Sequence, residues 1–184
     1  MANLITPIAI LSYPWIFKPQ PPLPGSPAGT EPKYGATFVF PKGTDLTALN
    51  NAAKEAAREK WGDKGEEIFR KQRHPLFKTD EDKGYPEGSI FLRASAKTAP
   101  GVVGRYKDPA TGKPIPITDP AELYAGCMVR ASLRAFAYDA AGNKGVSFGL
   151  SNIQKVGEGQ RLDGRKKAED EFDGEEAPAA DDLL

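Results

Sequence analysis

The residues that could do chemistry in this 184-residue chain sit on two runs with strand-like alternation. In the first, Ile90, Leu92, Ala94 and Ala96 are apolar and suit a core, while Phe91, Arg93, Ser95 and Lys97 alternate with them. In the second, Cys127, Val129, Ala131, Leu133, Ala135 and Ala137 form the apolar set. Arg130, Ser132, Arg134, Phe136 and Tyr138 stand between them. Side chains two apart share one face of a strand, so each run is expected to show solvent a face that mixes cations with aromatic rings. A solvated face needs charge but has no need of Phe91, Phe136 or Tyr138. Rings that stack on unpaired bases, with cations following the phosphates, are what a single-stranded nucleic-acid surface requires. The competing reading is a second small core, with these rings packed under a loop or a helix. Lys33, Arg105, Tyr106 and Lys107 are candidate extensions of the basic surface.

Other chemistries find little support. No phosphate-cradling G-x-x-x-x-G-K-[ST] or G-x-G-x-x-G is present. One histidine, His74, and one cysteine, Cys127, make neither a zinc site of the usual type nor an internal disulfide. No cofactor is expected. Asp80, Glu81 and Asp82 are a conceivable magnesium site and hence a conceivable nuclease, but they lie between lysines in a polar stretch, where a solvated charge run is the simpler reading. No apolar run approaches the ~20 residues of a membrane span, and the N-terminus lacks the pattern of a secretory signal. The expectation is a soluble protein of the cytoplasm.

The net charge of zero conceals an asymmetry. Residues 1–167 hold all 25 basic residues against 17 acidic ones, so the body carries +8. The other eight acidic residues lie in 168–184, where there is no lysine or arginine. The bland account of that tail is solubility. The sharper one is that the body binds a polyanion and the tail competes with it. Phe172 lies among the carboxylates, and the chain ends Asp181, Asp182, Leu183, Leu184, a pattern that can dock in a basic-rimmed apolar pocket on a partner.

The elements that must hold these residues follow from pattern. Residues 5–17 read as a strand bulged or at an edge because of Pro14. Six prolines in 18–32 make an extended connection. Residues 33–40 are a second strand whose aromatic row, Tyr34, Phe38 and Phe40, reads as core, as do Trp15, Phe17 and Trp61. Thr44 or Asp45 caps a helix to about Lys60, with Leu46, Leu49, Ala53, Ala56 and Ala57 on one face, and a short helix capped by Asp63 follows. Residues 72–88 read as a mobile polar loop. Strands follow at 90–97, 102–106 and 115–117, with a helical turn at 119–123 and a closing hairpin of 126–138 and 146–156. Helices inserted between strands, without βαβ alternation, point to a mainly β fold, a small barrel or sandwich.

Three stretches carry a resemblance: Ser12-Tyr13-Pro14-x-x-Phe17; Lys33-Tyr34-x-Ala36-Thr37-Phe38-x-x-Pro41-Lys42; and, most specific, Gly145-Val146-Ser147-Phe148-x-Leu150-x-Asn152-Ile153-Gln154-Lys155-Val156-Gly157-Glu158-Gly159-x-Arg161-Leu162. Their order and spacing, over about residues 5–165, resemble a family of phage and prophage single-stranded DNA-binding proteins. The resemblance implies an OB-fold, which with the pattern of elements above gives a five-stranded barrel with a helical insertion between strands 2 and 3. It implies sequence-independent binding of single-stranded DNA in phage replication or recombination, and no enzymatic activity. It also implies an acidic tail engaging other replication or recombination proteins. On this reading residues 1–160 are the DNA-binding domain and 161–184 a flexible linker and disordered acidic tail; a homodimer is compatible with it. The rival is a non-catalytic adaptor whose basic face binds an acidic partner.

Overall fold

The computed structural model describes residues 3–72, 74–78, 85–140, 142–162, 164 and 168–178. The described residues form nine strands: β1 (Leu4–Ile5), β2 (Ala9–Gln20), β3 (Lys33–Phe40), β4 (Phe77–Lys78), β5 (Ile90–Ala96), β6 (Gly101–Lys107), β7 (Pro114–Pro116), β8 (Met128–Ala140) and β9 (Asn143–Gly157). The helices are α1 (Thr47–Trp61), α2 (Gly65–Lys71) and the single turn α3 (Ala168–Glu171).

Five strands are paired in a closed circuit. β2 is antiparallel to β3, β3 to β5, β9 to β8, and β8 to β2, while β5 and β9 run parallel. Inside lie Leu11, Ile16, Phe38, Phe40, Leu92, Leu133, Phe148 and Ile153, all buried. Both alternating runs send their expected apolar set inward, from Leu92 and Ala94 on β5 and from Val129 to Ala135 on β8. The length of β8 and β9 follows from the hairpin between them, which holds register from Ala140–Asn143 to Met128–Gly157 with two irregularities.

α1 lies in the connection between β3 and β5 and buries Leu49, Ala53, Ala56 and Ala57 against the same core. Leu46, not Thr44 or Asp45, holds its cap position, without a side-chain bond; Asp45, one residue earlier, accepts the Thr47 N–H at 3.0 Å. Hydrogen bonding by Thr47, from its side chain first and its backbone N–H second, holds the Asp45 carboxyl below its usual range. Asp63 does not cap α2: it lies in a 3-10 turn before the helix, and Lys64 holds the cap position without a side-chain bond. Trp61 packs against the core as expected. Asp119 caps the 3-10 turn that Pro120 opens, accepting the Ala121 N–H at 2.9 Å.

Two stretches do more than the sequence suggests. The polar stretch after α2 contributes β4, which pairs Phe77 with Phe91, and Tyr85, which is buried. The chain after β9 does not leave the body at once. The Tyr124 hydroxyl bonds Glu158 at 2.5 Å and accepts the Gly159 N–H at 3.0 Å, and the Leu162 N–H donates to Ala125 O at 2.9 Å. Lys155 and Arg161 both approach the Tyr124 ring, at 5.2 and 4.9 Å. Burial and the adjacent Glu158 raise the Tyr124 pKa above the ordinary tyrosine value. No helix among the described residues is long and apolar enough to cross a membrane.

Candidate nucleic-acid interface

Register brings residues from five strands into two outward rows. The first reads Trp15, Gly35, Ser95, Gly149, Arg134 across β2, β3, β5, β9 and β8. The second reads Ser12, Thr37, Arg93, Ser147, Phe136, with Ser147 one step from the Ala94–Phe148 pair. Between them Ala36, Ala94, Phe148 and Ala135 point into the core. The outward rows of β5 and β8 meet across β9, whose small residues Ser147 and Gly149 form a low saddle between Arg93 on one side and Phe136 and Arg134 on the other.

On the β2–β3–β5 side the saddle deepens into a groove of about 460 Å³, lined by Tyr13, Trp15, Lys33, Tyr34, Thr37 and Arg93, with Gln20 and Leu23 at the proline-rich end. Among the described residues no carboxylate lines it. The floor is low because Gly35 and Ser95 pair directly across it; a Cβ on Gly35 would stand 2.7 Å from Ala94 O. Lys33 and Lys97 flank the last β3–β5 pair, Tyr34–Ala96, so two cations close that end of the sheet. Among the described residues none of Lys33, Arg93, Lys97, Arg130 or Arg134 is held in an ion pair, and all five are exposed.

Three groove aromatics were expected elsewhere or not singled out. Trp15 and Tyr34 are half-buried and line the groove instead of filling the core, and Tyr13, which lines it too, is 60% exposed; apart from these three, Phe17, also expected in the core, is 38% exposed. The reason is a bulge in β2. Ser12 pairs with Thr37 and Trp15 with Gly35, so Tyr13 and Pro14 stand opposite Ala36 alone. The extra residue shifts the alternation, so that Leu11 and Ile16, five apart, both enter the core and Trp15 turns outward. Pro14 was the available signal: two core positions at an odd separation across a proline require a shift in parity.

Phe91 corrects the sequence reading. It is 7% exposed, in a second cluster with Val39 and Tyr85, with Phe77 and Ile10 packed against it. β4 and Tyr85 cover the outer face at this end of β5, and the ring lies 5.2 Å from Phe77 and 6.1 Å from Tyr85. Its neighbour Arg93 stays exposed, with the guanidinium carbon 5.8 Å from the Phe91 ring centroid. The Tyr85 hydroxyl donates to Ser12 Oγ at 2.8 Å, tying this cover to the bulged strand.

The other candidates divide. Phe136 and Tyr138 are 43% and 40% exposed on β8. Tyr138 lies over Gly145, where a Cβ would collide with its ring. Arg130 lies further along β8 and donates to Gln154 Oε1 at 2.6 Å; Gln154 in turn donates to Gly104 O at 3.2 Å. Arg105 and Tyr106 line a different cavity, of about 530 Å³, with Ile115, Ile117, Lys155 and the carboxylates Glu122 and Glu158, and Lys107 ends the same strand. That acidic lining sets it apart from the groove. Phe172 is 72% exposed, while Asp181, Asp182, Leu183 and Leu184, like Asp80, Glu81 and Asp82, lie outside the described residues.

Comparison with known proteins agrees with the architecture. A single-stranded DNA-binding protein from bacteriophage Enc34, solved with a C-terminal truncation, superposes with a TM-score of 0.60 at 23% identity, over 87% of this chain and 88% of that one. The Enc34 protein solved in complex with single-stranded DNA gives 0.61 at 21% identity, over 87% and 89%. The gp2.5 single-stranded DNA-binding protein of bacteriophage T7 gives 0.55 at 12% identity, over 90% and 97%. No curated protein matches the sequence. The family model described as Enterobacter phage Enc34, ssDNA-binding protein, matches residues 2–184, and the chain belongs to that family.

Proposed function

We propose that this protein binds single-stranded DNA without sequence preference, along the saddle from the β2–β3–β5 groove to β8, in phage replication or recombination. The observation that carries the reading is the groove holding Tyr13, Trp15, Tyr34, Lys33 and Arg93, without a carboxylate among the described residues and continuous through β9 with Phe136 and Arg134, in a chain of this family. Rings stack on bases of any identity, and separate cations follow the phosphates. Phe136 and Tyr138 stack bases, Arg93, Lys97, Arg134 and Lys33 neutralise phosphates, and Arg130 continues the track. The exchange of Phe91 for Tyr13 and Trp15 as groove rings is the main change from the sequence reading.

The closed circuit supports a five-stranded barrel of OB type. Its order from β2 through β3, β5, β9 and β8 back to β2, with one parallel pair, is the evidence for that assignment, and α1 is then the insertion between its second and third strands. Such barrels bind single strands across this face. The protein acts without catalysis in the host cytoplasm, and its acidic tail, with Phe172, Asp181, Asp182, Leu183 and Leu184, engages other replication or recombination proteins.

The test is a titration of a labelled mixed-sequence oligonucleotide, single-stranded and duplex, across a salt series. About 3–5 phosphate contacts give a log–log slope of about −2 to −3.5 for the single strand. A duplex hides its base faces, so its affinity is lower throughout. Equal affinity for the two forms would remove stacking from the account, and no DNA binding at all would leave the adaptor reading.

A further inference from the structure

We infer that Tyr13 is a base-stacking platform pre-set by a strained backbone, an inference that rests on the single-stranded DNA reading of the groove and deepens it.

Tyr13 has φ of 45°, the one positive value among the described residues other than glycine. Two preferences oppose this. A bulky side chain is disfavoured in the left-handed region, and a residue that precedes proline is driven toward extended conformations. Bulges of this two-against-one kind often place glycine at the left-handed position for that reason. Here the position holds a large aromatic residue, 60% exposed, so its ring gains no core packing in return.

The surroundings keep the strain in place. On one side Ser12 pairs with Thr37 and accepts the Tyr85 hydroxyl at 2.8 Å. On the other, Pro14 fixes its own φ, Trp15 pairs with Gly35, and Ile16 is buried in the core. Relaxing Tyr13 to an extended conformation would break one of these anchors. The result is a ring held at the mouth of the groove next to Trp15, on a backbone unable to swing it away. Strain held by its surroundings at an exposed site is a mark of pre-organisation. A ring already in position spares the ordering cost that a mobile one incurs when it binds.

The experiment compares Tyr13→Ala, Tyr13→Gly and Tyr13→Phe in the full chain, by thermal melting and by anisotropy of a labelled mixed-sequence oligonucleotide. Tyr13→Gly removes ring and strain together, and Tyr13→Ala removes the ring alone. The glycine variant is expected to melt about 2–4 °C above the alanine variant, against the usual order set by backbone entropy. Both are expected to bind single strands roughly 10-fold more weakly, while Tyr13→Phe stays within about twofold. A glycine variant that melts below the alanine variant would overturn the strain. Undiminished binding by both, with wild type binding normally, would overturn the platform alone. A wild-type protein that does not bind single strands would remove the function and the platform with it.

Discussion

Arg93 reaches the groove because its neighbour does not. Phe91 is held by Phe77 and Tyr85, while Arg93, its guanidinium carbon 5.8 Å from the Phe91 ring centroid, is exposed and lines the groove. The two residues should therefore answer mutation differently. Phe91→Ala empties part of a small cluster and is expected to destabilise the fold by about 3 kcal/mol, the low end for a buried phenylalanine. The fraction that stays folded should bind DNA with an unchanged salt slope, as read by urea melts and titration. Arg93→Ala and Arg134→Ala should leave stability within about 0.5 kcal/mol and reduce the slope by roughly 0.7 for each lost phosphate contact. Phe136→Ala should cost ~1–3 kcal/mol of binding at constant slope. An arginine variant that lowered affinity equally at all salt concentrations would mean that its contact is not to phosphate.

At the scale of elements, the close of the hairpin meets the turn before β8. Gly126 has φ of 113°, and a Cβ there would collide with the Gln160 carbonyl. Beside it Cys127 is fully buried, and burial pushes its thiol up to about 11, from 9.0. The folded state thus holds the proton more tightly than the unfolded chain does. The stability gained is complete below about pH 9 and is lost as pH rises through 11, at about 1.4 kcal/mol per pH unit inside that window. Tyr124 and Tyr85, both raised by burial, add to the alkaline loss above their ordinary value of 10.0. Cys127→Ala should flatten the fall in melting temperature between pH 9 and 11, and the native thiol should resist disulfide reagents at pH 8 until the protein unfolds. An unchanged alkaline slope would place the loss in the tyrosines alone. Parity on β5 and β8 made the inward residues legible, because every second side chain must share a face. What covers the outward face was not legible from parity. β4 and Tyr85 reach Phe91 from outside its strand, the β2 bulge turns Trp15 outward, and Tyr124 captures Glu158 from 34 residues away.

Across the whole molecule, charge separates along the chain as well as over the surface. The body of +8 presents a groove with no carboxylate among its described lining residues, and the eight acidic residues of 168–184 follow a segment that is still anchored at Leu162. That anchor fixes where the tail begins. Leu162 packs against the cluster of Val39, Tyr85 and Phe91, whose Tyr85 holds Ser12 beside the groove. From 162 to 172 the chain spans at most about 33–36 Å, and a short tether of this kind keeps its end at a millimolar effective concentration near the body. Segments with many like charges and few apolar residues do not fold alone, so the effect expected of 168–184 on the groove is Coulombic. Deleting 168–184 should tighten binding of single strands, most at low salt, because the Debye length falls from about 30 Å at 0.01 M to 10 Å at 0.1 M. The truncated protein should also show the steeper salt dependence, since no internal anion competes with DNA when screening is weak. Affinity of full-length and truncated protein across that salt range decides the point. Curves that coincide at low salt would confine the tail to solubility or to partners, and a pull-down of replication proteins with Phe172→Ala tests the partner role separately.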